Sequence, residues 1–209
     1  MSSFETEQEA FWAGEFGDDY VARNRSASMV ASNRALFVSV LRLAPDVSSV
    51  LEVGANIGQN LVAIRSLLPQ ASLAAIEINL NAAEHLRTLG DIDVHEGTLL
   101  DFVPRRDWDF VLVKGVLIHV APDRLPTAYD VIYGCARKYV CLVEYYNPVP
   151  VEVEYRGHQG RLFKRDFAGE MLDRYPDLAL VDYGFVYHRD PVFPLDDTSW
   201  FLLERRGAM

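Results

Sequence analysis

The sequence predicts an α/β fold: a seven-stranded, mostly parallel sheet with an antiparallel final strand, helices on both faces and a helical segment in front. Three observations carry this. Short apolar runs alternate with longer segments of helical spacing, which implies right-handed crossovers and a parallel sheet covered on both sides. The last two apolar runs have no helix between them, so they pair antiparallel. The first run, within "VLEVGANIGQNL" (50–61), breaks directly into a glycine turn, at the sheet edge where such folds hold ligands.

Taken in order, residues 5–42 read as helical, broken near Gly14 and Gly17, with Ser32 or Asn33 as an N-cap and Pro45 just past the end. "SVLEVG" is the first strand, and the helix Gln59–Leu68 is stopped by Pro69. "SLAAIEI" is the second strand, Leu80–Leu89 a helix and "DIDVHEG" a short third strand. "DFVLVKGV" is a continuous apolar run of the kind buried on both faces. Asp123–Ala136 supplies the next helix and "YVCLVEYY" the fifth strand. An insertion at 145–165 precedes the helix Asp166–Tyr175. The strands "LALVDYGFVY" and "SWFLLER" then follow, joined by "HRDPVFPLDDT". There is no internal repeat, so 1–209 reads as a single domain, with a helical cap or lid over 1–45 and the core over 46–209.

Composition narrows the partners. Thirty acids against 20 bases give a net charge of −10, which repels a nucleic-acid backbone. No apolar run approaches the roughly 20 residues that span a bilayer. The acidic N-terminus lacks a signal-peptide pattern, so a cytoplasmic location is expected. Cys135 and Cys141 fall on different elements, suggesting neither a disulfide framework nor a metal site, and no oxygen-ligand spacing for a metal occurs. A small-molecule ligand is the expected partner; oligomeric state is not readable.

Gly54 allows the chain to turn sharply off the strand, and Gly58 opens a helix whose N-terminal dipole favours a negative group. Dinucleotide folds write this turn as G-x-G-x-x-G. Here Asn56 and Gln59 stand where the later glycines would be, so a pyrophosphate and a nicotinamide oxidoreductase fit poorly. Glu77 ends the second strand, 25 residues after Glu52.

The pattern E-x-G-x-x-x-G-x-N from Glu52 to Asn60 resembles the first motif of class I S-adenosylmethionine-dependent methyltransferases. That resemblance implies a Rossmann-like core with S-adenosyl-L-methionine as cofactor and S-adenosyl-L-homocysteine as product. Glu52 would lie near the methionine amino group, and Gly54, Ala55, Asn56, Gly58 and Asn60 would form the turn against it. Glu77 would accept from the ribose hydroxyls and Ile78 would pack on the adenine. Gly97, Thr98 and Leu99 would give the third contact, with Thr98 where many members carry an Asp for the adenine amino group. Lys114 and Gly115 would edge the methyl-transfer site. More specifically, "TEQEAFWAGEFGDDYVARN", "YYNPVPVEVEYRGHQGRLFKRDFAGEML" and "LVDYGFVYHRD" resemble the pseudaminic acid biosynthesis-associated methylases. Their setting implies a nonulosonic (pseudaminic-type) sugar, or its nucleotide-activated form, as acceptor.

Methyl transfer from a sulfonium is an in-line displacement, served mainly by proximity and orientation. A base helps with a hydroxyl or ammonium acceptor and is unnecessary for an anion. His119 is the leading base candidate; the alternative is a structural histidine. Lys114 either holds an anionic acceptor or is a strand-end charge. The insertion gathers Tyr145, Tyr146, Asn147, Glu154, Tyr155, Arg156, His158, Arg161, Lys164 and Arg165. Aromatics there would stack on a sugar or base, and Arg forks would bind carboxylate or phosphate; the other reading is a solvated hairpin. Trp12, Phe16, Tyr20, Arg23 and Asn24 form a lid, with Tyr20 and Arg23 toward the cofactor carboxylate, or Trp12 and Phe16 merely pack on the core. His188, Arg189 and Asp190 either reach the site or form a surface turn. The expected function is transfer of a methyl group to an oxygen or nitrogen of a small polar or anionic metabolite. The alternatives are a carboxylate or anion methyltransferase on an unrelated metabolite and a non-catalytic scaffold that binds the cofactor or its product.

Overall fold

A computed structural model describes residues 4–23 and 27–207, without the side chains of 22, 23 and 27. Strands β1 (Ser49–Val53), β2 (Ser72–Glu77), β3 (Ile92–Glu96), β4 (Trp108–Lys114), β5 (Ala136–Glu144), β8 (Leu178–Val186) and β9 (Thr198–Arg205) make one seven-stranded sheet in the order β3-β2-β1-β4-β5-β9-β8. β1 to β5 are parallel, and β9 runs antiparallel to both of its neighbours. The strand order reverses at β1, which lies between β2 and β4, so a crevice opens at its carboxyl end. The fold class expected from the sequence is the one observed.

Alternation along β4 explains the two layers, since successive side chains point to opposite faces. Phe110 and Leu112 join one core with Leu36, Phe37 and Val40 of α3 (Ala27–Leu41) and Leu61 and Ile64 of α4 (Gln59–Leu67). Val111 and Val113 join the other with Ala128 and Ile132 of α6 (Leu125–Cys135) and Met171 of α7 (Phe167–Arg174). Leu86 of α5 (Leu80–Thr88) belongs to the first layer.

In front lie α1 (Glu7–Ala13) and α2 (Glu15–Arg23). A capping box of Thr6 and Glu9 starts α1, and Gly14 in extended backbone ends it. Gly17 does not break a helix; it lies inside α2, where a side chain would run into the Trp12 carbonyl. Ser32 and Asn33 do not cap α3 either. They sit within it, 3% and 1% exposed, because apolar residues from Met29 onward pack against the core and carry the helix back past a favourable cap. The insertion folds as a hairpin of β6 (Val151–Tyr155) and β7 (His158–Lys164).

Asp109, buried near the start of β4, fixes the lower edge of the sheet. It accepts from Ser48 N at 2.9 Å and Ser48 Oγ at 2.6 Å, just before β1, and from Arg137 Nε at 2.9 Å and Nη2 at 2.6 Å on β5. Burial alone would raise its carboxyl, but the Ser48 and Arg137 hydrogen bonds outweigh that and hold it well below the usual carboxylate range. Asp109→Ala strips partners from both strands, and urea denaturation should show a loss of about 2–4 kcal/mol. A loss near zero would mean the edge does not depend on this acid.

Candidate functional site

A cavity of about 300 Å³ opens at the carboxyl ends of β1 to β4, at the lower end of small-molecule site volumes. Its floor begins with the turn after β1. Gly54 is held at φ 66° and donates its N–H to Ile76 O at 2.8 Å. A side chain there would meet Val116 Cγ2 at 2.5 Å, so the missing Cβ makes room for the loop after β4 as well as for the turn. Gly54, Ala55, Asn56 and Asn60 line the cavity. Glu52 and Gly58 do not line it. Glu52 accepts Asn60 Nδ2 at 2.6 Å through Oε1, and its Oε2 is buried without a partner among the described residues. Burial pushes its carboxyl up to about 8, opposed by the Asn60 bond and the nearby Lys114.

Glu77 and Ile78 line the wall at the end of β2. Glu77 Oε2 accepts the Asn56 amide at 2.6 Å and Oε1 the Asn79 amide at 2.8 Å. Burial raises this carboxyl and the amide donors oppose the shift. Gly97, Thr98 and Leu99 follow β3 onto the same wall. Lys114 and Gly115 follow β4. Burial pulls the Lys114 amine down, while Glu52, Asp196 and Glu144 hold it up. Glu144, at the end of β5, accepts the amides of Val116 at 2.9 Å and Leu117 at 3.0 Å and is pushed up to about 8 by burial.

The roof is α1, α2 and the hairpin. Trp12, Tyr20, Tyr145 and Tyr155 reach the cavity, and the Trp12 ring lies 4.5 Å from His119, 5.3 Å from Tyr20 and 6.3 Å from Tyr155. Gln8 Nε2 donates to Gly160 O at 2.9 Å, Arg161 pairs with Glu7 at 3.1 Å, and Glu9 takes the Thr98 hydroxyl. Phe16 stacks on Phe11 at 4.1 Å, and His158 meets the Phe11 ring edge-on at 5.0 Å. The backbone of Arg23 ends α2, but its side chain and all of Asn24 lie outside the described residues.

Other expected positions are elsewhere. Tyr146 packs near Phe201 at 5.9 Å, Asn147 Nδ2 donates to Val149 O at 2.6 Å, and Arg156 sits in the hairpin turn at φ 50°. Arg165 pairs with Glu170 at 2.5 Å, and Lys164 lies 4.9 Å above the Tyr145 ring. None of these lines the cavity, and neither does Glu154. The cluster that reads as basic in sequence is instead largely engaged with acids and rings. Arg189 is likewise off the cavity; His188 binds Asp197 at 2.8 Å and Asp190 accepts the amides of Val192 and Phe193, a self-contained turn.

His119 does reach the cavity, but not with an ordinary basicity. Its Nδ1 lies 2.5 Å from Arg161 O, which only accepts, so Nδ1 carries the proton and Nε2 the lone pair. Burial pulls the ring down to about 4.

Glu9, Asn33 and Asp196 line the cavity too, and sequence reasoning missed all three. Asn33 Oδ1, like the Oδ1 atoms of Asn56 and Asn60 and Nε1 of Trp12, is buried without a partner among the described residues. Asp196 was findable from topology: an antiparallel β9 begins at the carboxyl edge of its parallel neighbours, bringing the residues just before it to the ligand side.

No family model matches the chain, and no curated protein matches it. Solved structures do. The DhpI–SAH complex is 19% identical with a TM-score of 0.59, over 96% of this chain and 94% of that one. SAM-bound CalS10, an amino pentose methyltransferase from Micromonospora echinaspora, is 13% identical with a TM-score of 0.63, over 91% and 96%. SAM-bound magnesium protoporphyrin IX methyltransferase from Synechocystis PCC 6803 is 12% identical with a TM-score of 0.66, over 98% and 100%. The chain shares their fold. Among the described residues no helix is long and apolar enough to cross a membrane, and no cluster of ligating side chains forms a metal site.

The neutral state of His119 has a measurable consequence. The unfolded chain takes up this proton at 6.5 and the folded chain at about 4. The resulting stability is complete above pH 6.5 and lost as pH falls toward 4. His119→Gln should therefore show a shallower loss of unfolding free energy than wild type across that window, with all other groups common to both proteins. Equal slopes would mean the ring is not held neutral.

Proposed function

We propose that the chain is a class I S-adenosylmethionine-dependent methyltransferase acting on a nitrogen or oxygen of a small polar acceptor. The observation that carries this is the arrangement of acceptors in the cavity. Asn33, Asn56 and Asn60 offer buried carbonyl oxygens without donors, with the Glu52 carboxyl behind Asn60. An ammonium group has donors and no acceptor, so it matches this end. Glu77, at the end of the next strand, keeps free lone pairs beside the Asn56 and Asn79 amides and suits a pair of ribose hydroxyls. A dinucleotide fits badly, because its pyrophosphate would face carboxyl groups. Tyr20 supports a contact to the cofactor carboxylate, and the same expectation stands for Arg23. When bound, the cofactor supplies an electrophilic methyl group on a sulfonium.

The chain's own part is to orient the acceptor and exclude water. Trp12, Tyr145 and Tyr155, with His119 and Asp196, give that end of the cavity aromatic faces and hydrogen-bonding atoms, a combination suited to a sugar ring. The acceptor implied by the finer family resemblance is a nonulosonic sugar or its nucleotide-activated form. Arg161 and Arg165 are committed to Glu7 and Glu170, so among the described residues Lys114 is the cation left on the wall for an anionic group. A histidine pulled down to about 4 is a weak base for an alcohol. This favours an acceptor already nucleophilic when bound, such as a neutral amine or a carboxylate.

Calorimetry with S-adenosylmethionine, S-adenosylhomocysteine and NAD tests the cofactor. The first two should bind, NAD should not, and Glu77→Ala should weaken binding about 100-fold, as loss of hydrogen bonds to a charged group does. Unchanged binding in the variant, or a preference for NAD, would overturn the reading. With labelled cofactor and a sugar-acid pool, transfer that survives His119→Ala supports base-free chemistry, whereas binding without any transfer supports the scaffold alternative.

A further inference from the structure

Part of the cavity wall is apolar. It is lined by Ile78 after β2, Leu99 after β3, and Ile118 and Val120 after β4, of which Leu99, Ile118 and Val120 pack in one apolar cluster. Its polar groups include Thr98 and Glu9. Glu9 is the buried residue of α1, 8% exposed. Its Oε2 accepts the Thr6 amide at 2.9 Å and hydroxyl at 3.0 Å, closing the capping box. Thr98 Oγ accepts the Leu100 amide at 3.1 Å and gives its own proton to Glu9 Oε1. A carboxylate oxygen takes two donors, so Oε1 retains one acceptor position, and Glu9 lines the cavity. A helix cap alone does not require Glu9 to reach across 89 residues of sequence to Thr98.

We propose that Glu9 reads the nucleobase of the cofactor by accepting an N–H from its exocyclic amine. This rests on the methyltransferase reading, with the ribose at Glu77. A flat aromatic base fills an apolar slot, and a carboxylate at its end discriminates a base that donates from one that does not. Thr98 then serves as a positioning residue that aims Oε1. Because Glu9 stands on α1, recognition of the base and closure of the roof become one event. A cofactor lacking the amine leaves α1 without this tie.

The test compares S-adenosylhomocysteine with its 6-deamino purine analogue, on wild type and on Glu9→Met, which keeps side-chain length and loses the acceptor. Wild type should bind the amine-bearing ligand about 10-fold or more tightly, the size of one charge-assisted hydrogen bond. In Glu9→Met the ratio should fall to near one. Amide exchange over residues 7–13 should slow with S-adenosylhomocysteine and much less with the analogue. If Glu9 only caps the helix, both ligands weaken equally in the variant and the wild-type ratio persists, which overturns the proposal while leaving the cofactor reading intact. If wild type binds neither ligand, the cofactor reading itself falls.

Discussion

The carboxylate of Glu77 joins the parts on which the cavity depends. One oxygen takes the Asn56 amide in the turn after β1, and the other takes the Asn79 amide at the start of α5. Asn79 in turn caps that helix by accepting from Ala82 N at 2.9 Å, and its Nδ2 donates to Asp18 Oδ1 at 2.8 Å and to the Trp12 carbonyl at 3.4 Å. A single buried acid thus couples the floor turn, a helix N-terminus and the roof. Buried carboxylates are costly unless hydrogen-bonded, so the backbone must keep both amides aimed inward. The cavity's shape follows from that requirement.

Around Lys114 the balance is different. Glu52 and Glu144 each keep one oxygen buried without a partner among the described residues, and both are pushed up to about 8. Lys114 interacts with both acids and is itself drawn down by burial. Such an arrangement is poor as a stabilising ion-pair network, because a desolvated charge is repaid only by close partners. It suits a site that completes itself with a ligand. Trp12 packs against His119 and Tyr155 on the same cavity.

Much of this was legible in the sequence. Strand–helix alternation and the helixless final pair gave the sheet, because crossover handedness and sheet burial leave few alternatives. Glu77 and the Gly54 turn were legible as strand ends. The cavity positions of Glu9 and Asn33 were not: one read as part of a helix start and the other as a cap, since propensity carries no information about which tertiary neighbour a side chain meets. The pairing of the basic insertion was hidden for the same reason. Arg161 and Arg165 look free in sequence and are paired in space with Glu7 and Glu170, acids near in structure but, for Glu7, far along the chain.

In the proposed function one ligand lies along the strand ends with its ammonium at Asn60 and its ribose at Glu77. A crystal structure with S-adenosylhomocysteine tests this most directly. Both ribose hydroxyls should lie within about 2.5–3.2 Å of Glu77 oxygens, with the homocysteine nitrogen beside Asn60. A ligand lying elsewhere, or one that leaves Glu77 bound only to the amides of Asn56 and Asn79, would contradict it.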